Sequence, residues 1–321
     1  MRLEAGSRQA LPEQQVLRLA DRAGAQPWQR RPQEEAETHG NLKHLPRLSA
    51  ARQDELNALG VESISAIPDD FPLSRRQAII RDVTRNKKPW VDSQLSDRLK
   101  SFGPPAYYLD FEAFSAAVPL YIGSRPYQAV PFQWSLHHVD ACGAVTHRDF
   151  LARPETDPRR AFAETLLAAL SETTLPIIVY SSYEKVRLAD LAAQFPDLSK
   201  AIRGVVRRLA DLLPVVRGCI YYPQFGFSSS IKSVAPALSS DVTYDDLEKI
   251  SDGSSASTAF WLMASGRAEP ATWPQTQNAL RAYCHRDTWA LLRVHQTLTA
   301  LASNQVKWAT PKNTTGVFSR N

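Results

Sequence analysis

The chain has 321 residues, 43% of them hydrophobic, which suffices for one sizeable domain with extras and a packed core. Its net charge is +5, it has no apolar run of 18 residues, and Met1 is followed by the polar Arg2, Glu4 and Ser7. These features argue against a membrane span and a secretory leader and predict a soluble, cytoplasmic protein, while Cys142, Cys219 and Cys284 are too far apart for a C-x-x-C zinc pattern or a disulfide framework.

In chain order, residues 11–24 suit a short amphipathic helix, and the Gln-, Arg-, Glu- and Pro-rich stretch 25–44 reads as linker. A small helical module is expected over 45–88. Within it Ala51 to Leu59 is helix-like, a Leu59-Gly60-Val61 turn follows, and a second helix starts at Ser74. Arg75, Arg76, Arg81, Arg85, Lys87 and Lys88 make this region basic, as Arg203, Arg207 and Arg208 do further on. Such clusters suit a polyanionic partner, or a solvated face that aids solubility.

Lys88-Pro89-Trp90 leads into the main domain. Strand signals fall near 105–112, 130–140 and 145–151, with a helix over 158–172. The first strand contains Tyr108-Leu109-Asp110-Phe111-Glu112, two carboxylates two residues apart within an apolar run. Strand side chains alternate, so Asp110 and Glu112 share a face. Like charges in apolar surroundings repel, and a divalent cation held by carboxylate oxygens is the usual remedy. An exposed edge strand with two solvated acids is the other reading.

Leu175 to Tyr180 is short, apolar and β-branched, as a buried strand should be, and Ser181-Ser182 offers a cap for a helix over 183–195. Asp211 falls at a further short strand. Phe225 to Ser233 is a Gly/Ser-rich turn entering a helix. Its hydroxyls, its backbone N–H groups and Lys232 suit a phosphate, with helix capping as the alternative. Residues 279–294 show helical periodicity through Leu280, Tyr283, Leu291 and Val294. Tyr283 and Asp287 lie one turn apart on one face, where Asp287 either joins a site or pairs with Arg286 or Arg293. Cys284, between them, reads as packing.

A D-x-E strand that opens the domain and a Y-x-x-x-D helix that closes it resemble the DEDD exonucleases of the DnaQ-like, ribonuclease-H-like superfamily. Ala282 stands where the histidine version would carry His, which indicates the tyrosine subtype. The run Val118-Pro119-Leu120-Tyr121, Arg125-Pro126-Tyr127 and Pro131 to His137 further resembles an uncharacterised bacterial domain family often found behind a RecB/Cas4-like nuclease domain.

The resemblance implies an α/β fold, a ribonuclease-H-like mixed sheet flanked by helices, over residues 100–301, after the small helical module and before a tail, 302–321. It implies a 3′–5′ exonuclease-type phosphodiesterase acting on single-stranded ends of DNA or RNA, with Asp110, Glu112 and Asp287 holding two Mg²⁺ or Mn²⁺ ions. The family's second motif places an aspartate in the first turn after the central strand. Glu184 occupies that position here, one methylene longer, as the fourth ligand, with Asp211 as its rival. Tyr283 would orient the attacking water. Phe111 and Phe114 would stack the terminal base, and Lys232 would meet the substrate. The alternative is a catalytically decayed nucleic-acid-binding or scaffolding domain of a larger nuclease system, served by a RecB/Cas4-like partner.

Overall fold

The computed structural model describes residues 40–170, 174–247 and 250–309, with side chains to 303. The helix expected at 11–24 and the linker up to residue 39 lie outside the described residues, as does the end of the tail from 310. No helix among the described residues is long and apolar enough to cross a membrane.

The chain divides between Phe71 and Pro72 into two compact units. In the first, α1 (Ala50–Ala58) starts at Ser49, whose Oγ accepts from Arg52 N. It ends two residues before Gly60, which adopts a φ of +72°, a conformation glycine reaches without a Cβ penalty. The second unit begins with α2 (Arg75–Asn86), capped by a reciprocal Ser74/Gln77 box. Sequence reading groups this helix with the small module, but its cations tie it to the larger unit. Arg75 pairs with Asp92, and Arg76 donates to Ile220 O at 3.1 Å with its guanidinium 4.8 Å from the Tyr221 ring. Arg75 is largely exposed beside Asp92, whereas Arg76 is the one drawn into packing.

A short ribbon, β1 (Trp90–Val91), and α3 (Leu95–Leu99) precede the main sheet. The sheet is built from β2 (Ala106–Ser115), β3 (Ala129–Val139) and β4 (Val145–Leu151), then, after α4 (Pro158–Leu170), from β5 (Ile177–Val179). Helices α5 (Tyr183–Gln194) and α6 (Ser199–Val206) lead to β6 (Leu209–Asp211). The strand order is β4-β3-β2-β5-β6. The first three strands run antiparallel, whereas β5 and β6 run parallel to β2. This is the mixed sheet flanked by helices expected from the sequence. After β6 come α7 (Leu213–Cys219), β7 (Ile220–Tyr221), which pairs with β1, then α8 (Ile231–Leu238), α9 (Gly253–Ala264) and α10 (Trp273–Ala309). Helix α10 extends the helix read at 279–294 in both directions and continues into the expected tail.

Strand alternation divides the sheet's two faces. Leu109, Phe111, Trp134 and Leu136 join Phe162, Leu166, Leu188, Leu191, Ile202 and Val205 in one core, under α4, α5 and α6. On the other face Phe114, Val130 and Phe132 pack with Phe260, Met263 and Leu280 of α9 and α10. The ladder slips between Glu112 and Ala113. Glu112 opposes Gln133 and Ala113 opposes Pro131, so Phe132 is the extra residue of a β-bulge. Beyond it Gln133, Ser135 and His137 lie on the α10 side with Asp110 and Glu112.

Candidate metal centre

Strand β2 lies between β3 and β5, so the edge-strand reading of its acids is wrong. Its ladder with β5 ends at Tyr108–Ile178, and Asp110 and Glu112 project just past the carboxyl end of that short strand. Open α/β sheets place their ligand sites at such ends. The turn after β5 brings Glu184 to the same place in the first turn of α5, and α10 supplies Asp287 and Tyr283 from above the sheet.

Glu112, Glu184 and Asp287 are 7%, 3% and 8% exposed, too little for water to solvate three carboxylates. Asp110 is half-buried as a residue, yet its carboxyl is enclosed by protein. Burial drives the Asp110 carboxyl well above the ordinary range, and Asp287, Glu112 and Glu184 add repulsion. Glu112 is raised by burial and by Asp287, with Lys232 opposing. Glu184 rises to about 8 through burial, with Asp211 contributing, and its Oε2 is buried without a hydrogen-bond partner. Burial also raises Asp287, against hydrogen bonds from Tyr244 and Tyr283. A cluster of acids each held above its normal pKa lacks positive charge. The unpartnered Glu184 oxygen marks where a ligand would sit.

The expected alternative pairs for Asp287 are not formed. Arg286 reaches Asp246 at 2.8 Å and Arg293 reaches Asp241 at 3.0 Å. Asp287 Oδ1 instead accepts from the Tyr244 hydroxyl at 2.7 Å. Tyr244 was not legible as a site residue, because it is 43 positions upstream in a segment without helical or strand periodicity. Cys284, expected as packing, is buried with its Sγ 3.8 Å from Asp110 Oδ2. One ligand atom each from Asp110, Glu112 and Cys284 lies within 4.8 Å of the others. The thiol is pushed up by burial and by the acids, so it stays protonated and is a poor ligand beside the carboxylates. Asp211 accepts from Leu213 N at 3.0 Å at the end of β6 and reaches the site only by its effect on Glu184.

Lys232 is brought in by α8. Its ammonium donates to Ser251 O at 2.6 Å and stands 4.6 Å from the Tyr283 ring. Ser230 caps α8, so the hydroxyl-rich turn has the capping role that was its alternative. On the far side of the acids, a Cβ built on Gly253 would come 3.8 Å from Glu112 Oε2. The positive end of α9 is therefore close to that carboxylate.

The two phenylalanines expected to stack a base are both buried in packed cores. Phe111 is 3% exposed and meets Phe162 edge-on at 4.9 Å, and Phe114 is 2% exposed with Phe260 at 5.7 Å. Phe111 alternates away from the acids by strand geometry. Phe114 shares their face but is covered by α9. Phe111→Ala should therefore lower stability by about 3–5 kcal/mol, as large-to-small core changes do. Denaturant melts would read this. The exposed aromatic beside the acids is instead Tyr183, next to Glu184, while Val118, Ile122 and Tyr127 are exposed in the β2–β3 connection.

One strand over from the acids, His137, His147 and His285 form a second cluster between β3, β4 and α10. Burial, then the neighbouring imidazoles, depresses His137 to about 3, and burial followed by His285 depresses His147 to about 4. None of the three was singled out by the sequence, since they lie on three different elements.

Residues 107–230 match the family described as Domain of unknown function (DUF2779), a span that contains Asp110, Glu112 and Glu184 but not Tyr283 or Asp287. Neither a curated protein nor a solved structure matches the chain.

Proposed function

We propose that the chain is a metal-dependent 3′–5′ exonuclease-type phosphodiesterase of the DnaQ-like kind, acting on single-stranded ends of DNA or RNA. One observation carries this reading. Asp110, Glu112, Glu184 and Asp287 come together beside the carboxyl end of β5, and Glu184 Oε2 is buried without a partner. The sheet order, three antiparallel strands followed by two parallel ones, supports the ribonuclease-H-like form of that reading.

Hard carboxylate oxygens suit Mg²⁺ or Mn²⁺, and two such ions would supply neutralisation of the phosphate and activation of water. The chain's own groups do the positioning. Asp110 and Glu112 are fixed by the β2 ladders, and Asp287 is oriented by Tyr244. The Tyr283 phenol is raised far above its usual pKa by burial and by Asp287, so it stays protonated. It therefore acts as a donor that orients, not as a base. Lys232 uses one of its three N–H donors on Ser251 O, and the others serve a phosphate.

End-labelled single-stranded DNA and RNA, incubated with Mn²⁺, Mg²⁺ or EDTA, should release mononucleotides from the 3′ end only with metal. Tyr283→Phe should lower kcat and kcat/KM together by about 10- to 100-fold, since an outer-shell donor that orients the attacking water is lost, while metal and substrate binding persist. A second reading, a binding domain whose catalysis has decayed, is favoured by glutamate at 184. It predicts salt-sensitive binding of single strands without release by the wild type. Release by the wild type retires the second reading, release by Glu184→Asp alone supports it, and silence from both retires the first.

A further inference from the structure

We propose that His137, His147 and His285 form a zinc-type transition-metal site, separate from the carboxylate centre, that clamps α10 to β3 and β4. The three rings pack with centroids 4.5, 4.7 and 4.4 Å apart, and one nitrogen from each lies within 4.8 Å of the others. Zn–N bonds of about 2.0–2.1 Å put tetrahedral donors about 3.4 Å apart, so the cluster must tighten on binding. His285 is exposed and has room to make that adjustment.

The surroundings are those of a built site. His137 Nδ1 lies 2.9 Å from Thr288 Oγ1 and His147 Nε2 lies 2.9 Å from Ser135 Oγ, and the two hydroxyls are 2.7 Å apart. His137 and His147 thus each have one nitrogen engaged by a hydroxyl and the other left for a ligand, the arrangement that orients histidines around a metal, while His285 closes the set from α10. Thr288 is also anchored to the Cys284 and His285 carbonyls of α10. The rings border a cavity of about 650 Å³ that is also lined by Trp289, Asp241 and Asp246. It gives an entry path and room for a water as fourth ligand. Three imidazoles and no thiolate favour Zn²⁺, Co²⁺, Ni²⁺ or Cu²⁺ over Mg²⁺, which asks for oxygen. Loading would pin the helix that carries Tyr283 and Asp287.

The test uses tag-free full-length protein stripped with a chelator and titrated with Co²⁺. The expected result is one equivalent bound with visible ligand-field bands, displaced by Zn²⁺, and a Zn²⁺-dependent rise in melting temperature. His285→Ala changes an exposed side chain and should abolish both signals while leaving the metal-free melt unchanged. His147→Ala should do the same, and Asp110→Asn should retain both. No bands in the wild type would overturn the proposal. So would bands that survive both histidine variants, or bands lost in Asp110→Asn, which would place the cobalt among the carboxylates.

Discussion

Asp110→Asn should reduce metal-dependent nucleotide release by about 10³-fold, since the several kcal/mol that a well-held metal contributes to the transition state correspond to that factor. Burial raises the pKa of the Asp110 side chain, and Asp287, Glu112 and Glu184 each raise it further. Asparagine keeps the shape and one oxygen but removes the charge that opposes a cation. The same change should erase the melting-temperature rise that saturating Mn²⁺ produces in the wild type and that EDTA reverses. Without metal it should stabilise the fold, because a repelling buried charge has gone. Three measurements therefore move in stated directions, and a Mn²⁺ response in the variant equal to the wild type's would sink the metal centre.

The metal-free protein should lose stability as pH rises. For Asp110, Glu112, Glu184 and Asp287 the folded-state pKa is raised above the unfolded value. Below the unfolded value the acids are protonated in both states and no penalty exists. As pH rises, the unfolded chain releases protons that the folded chain retains, and the folded state is destabilised until its own groups ionise. For Glu184 the window runs from its ordinary 4.5 to about 8, and each unit is worth about 1.4 kcal/mol, so the loss from this group is on the order of a few kcal/mol. Denaturant melts in EDTA at several pH values should show the decline. Glu184→Gln should flatten it, and saturating Mn²⁺ should reverse it, since the ion favours the ionised acids. A metal-free protein equally stable at pH 5 and pH 8 would contradict the burial of these carboxylates.

Much of the fold was legible because its signals are local. The runs around β2, β3, β4 and β5 have strand composition, and α4 and α5 have helical period, so their ends fall within a few residues of expectation. The acids were legible for a related reason, since D-x-E on a strand and Y-x-x-x-D on a helix fix side-chain direction by period alone. What sequence could not show depends on which surfaces meet. Phe111 and Phe114 sit beside the acids in the chain, yet one points to the opposite core and the other is capped by α9, a helix about 140 residues downstream. Tyr244, the histidine trio and the Cys284–Asp110 contact join residues that are distant in sequence, which no periodicity encodes. The basic residues of α2 illustrate the same limit. Their number suited a polyanion or a solvated face, and which intramolecular partners Arg75 and Arg76 take, Asp92, Tyr221 and a backbone carbonyl, was not visible in it.

The single unpaired residue Phe132 acts as a phase shifter for everything downstream in β3. Before it, Val130 points toward α9, and without a bulge simple alternation would keep only even-numbered positions on that side. Because Phe132 is extra, the odd-numbered Gln133, Ser135 and His137 take over, holding Leu280, His147 and Thr288. Deleting this one residue should exchange the faces of the rest of the strand, turning Trp134 and Leu136 toward α10 and the three polar groups into the α4 core. Both the bed beneath the carboxylates and the histidine cluster would be lost together, though no residue of either had been altered. The chemistry on this side of the sheet is therefore indexed by a count of residues as much as by their identity.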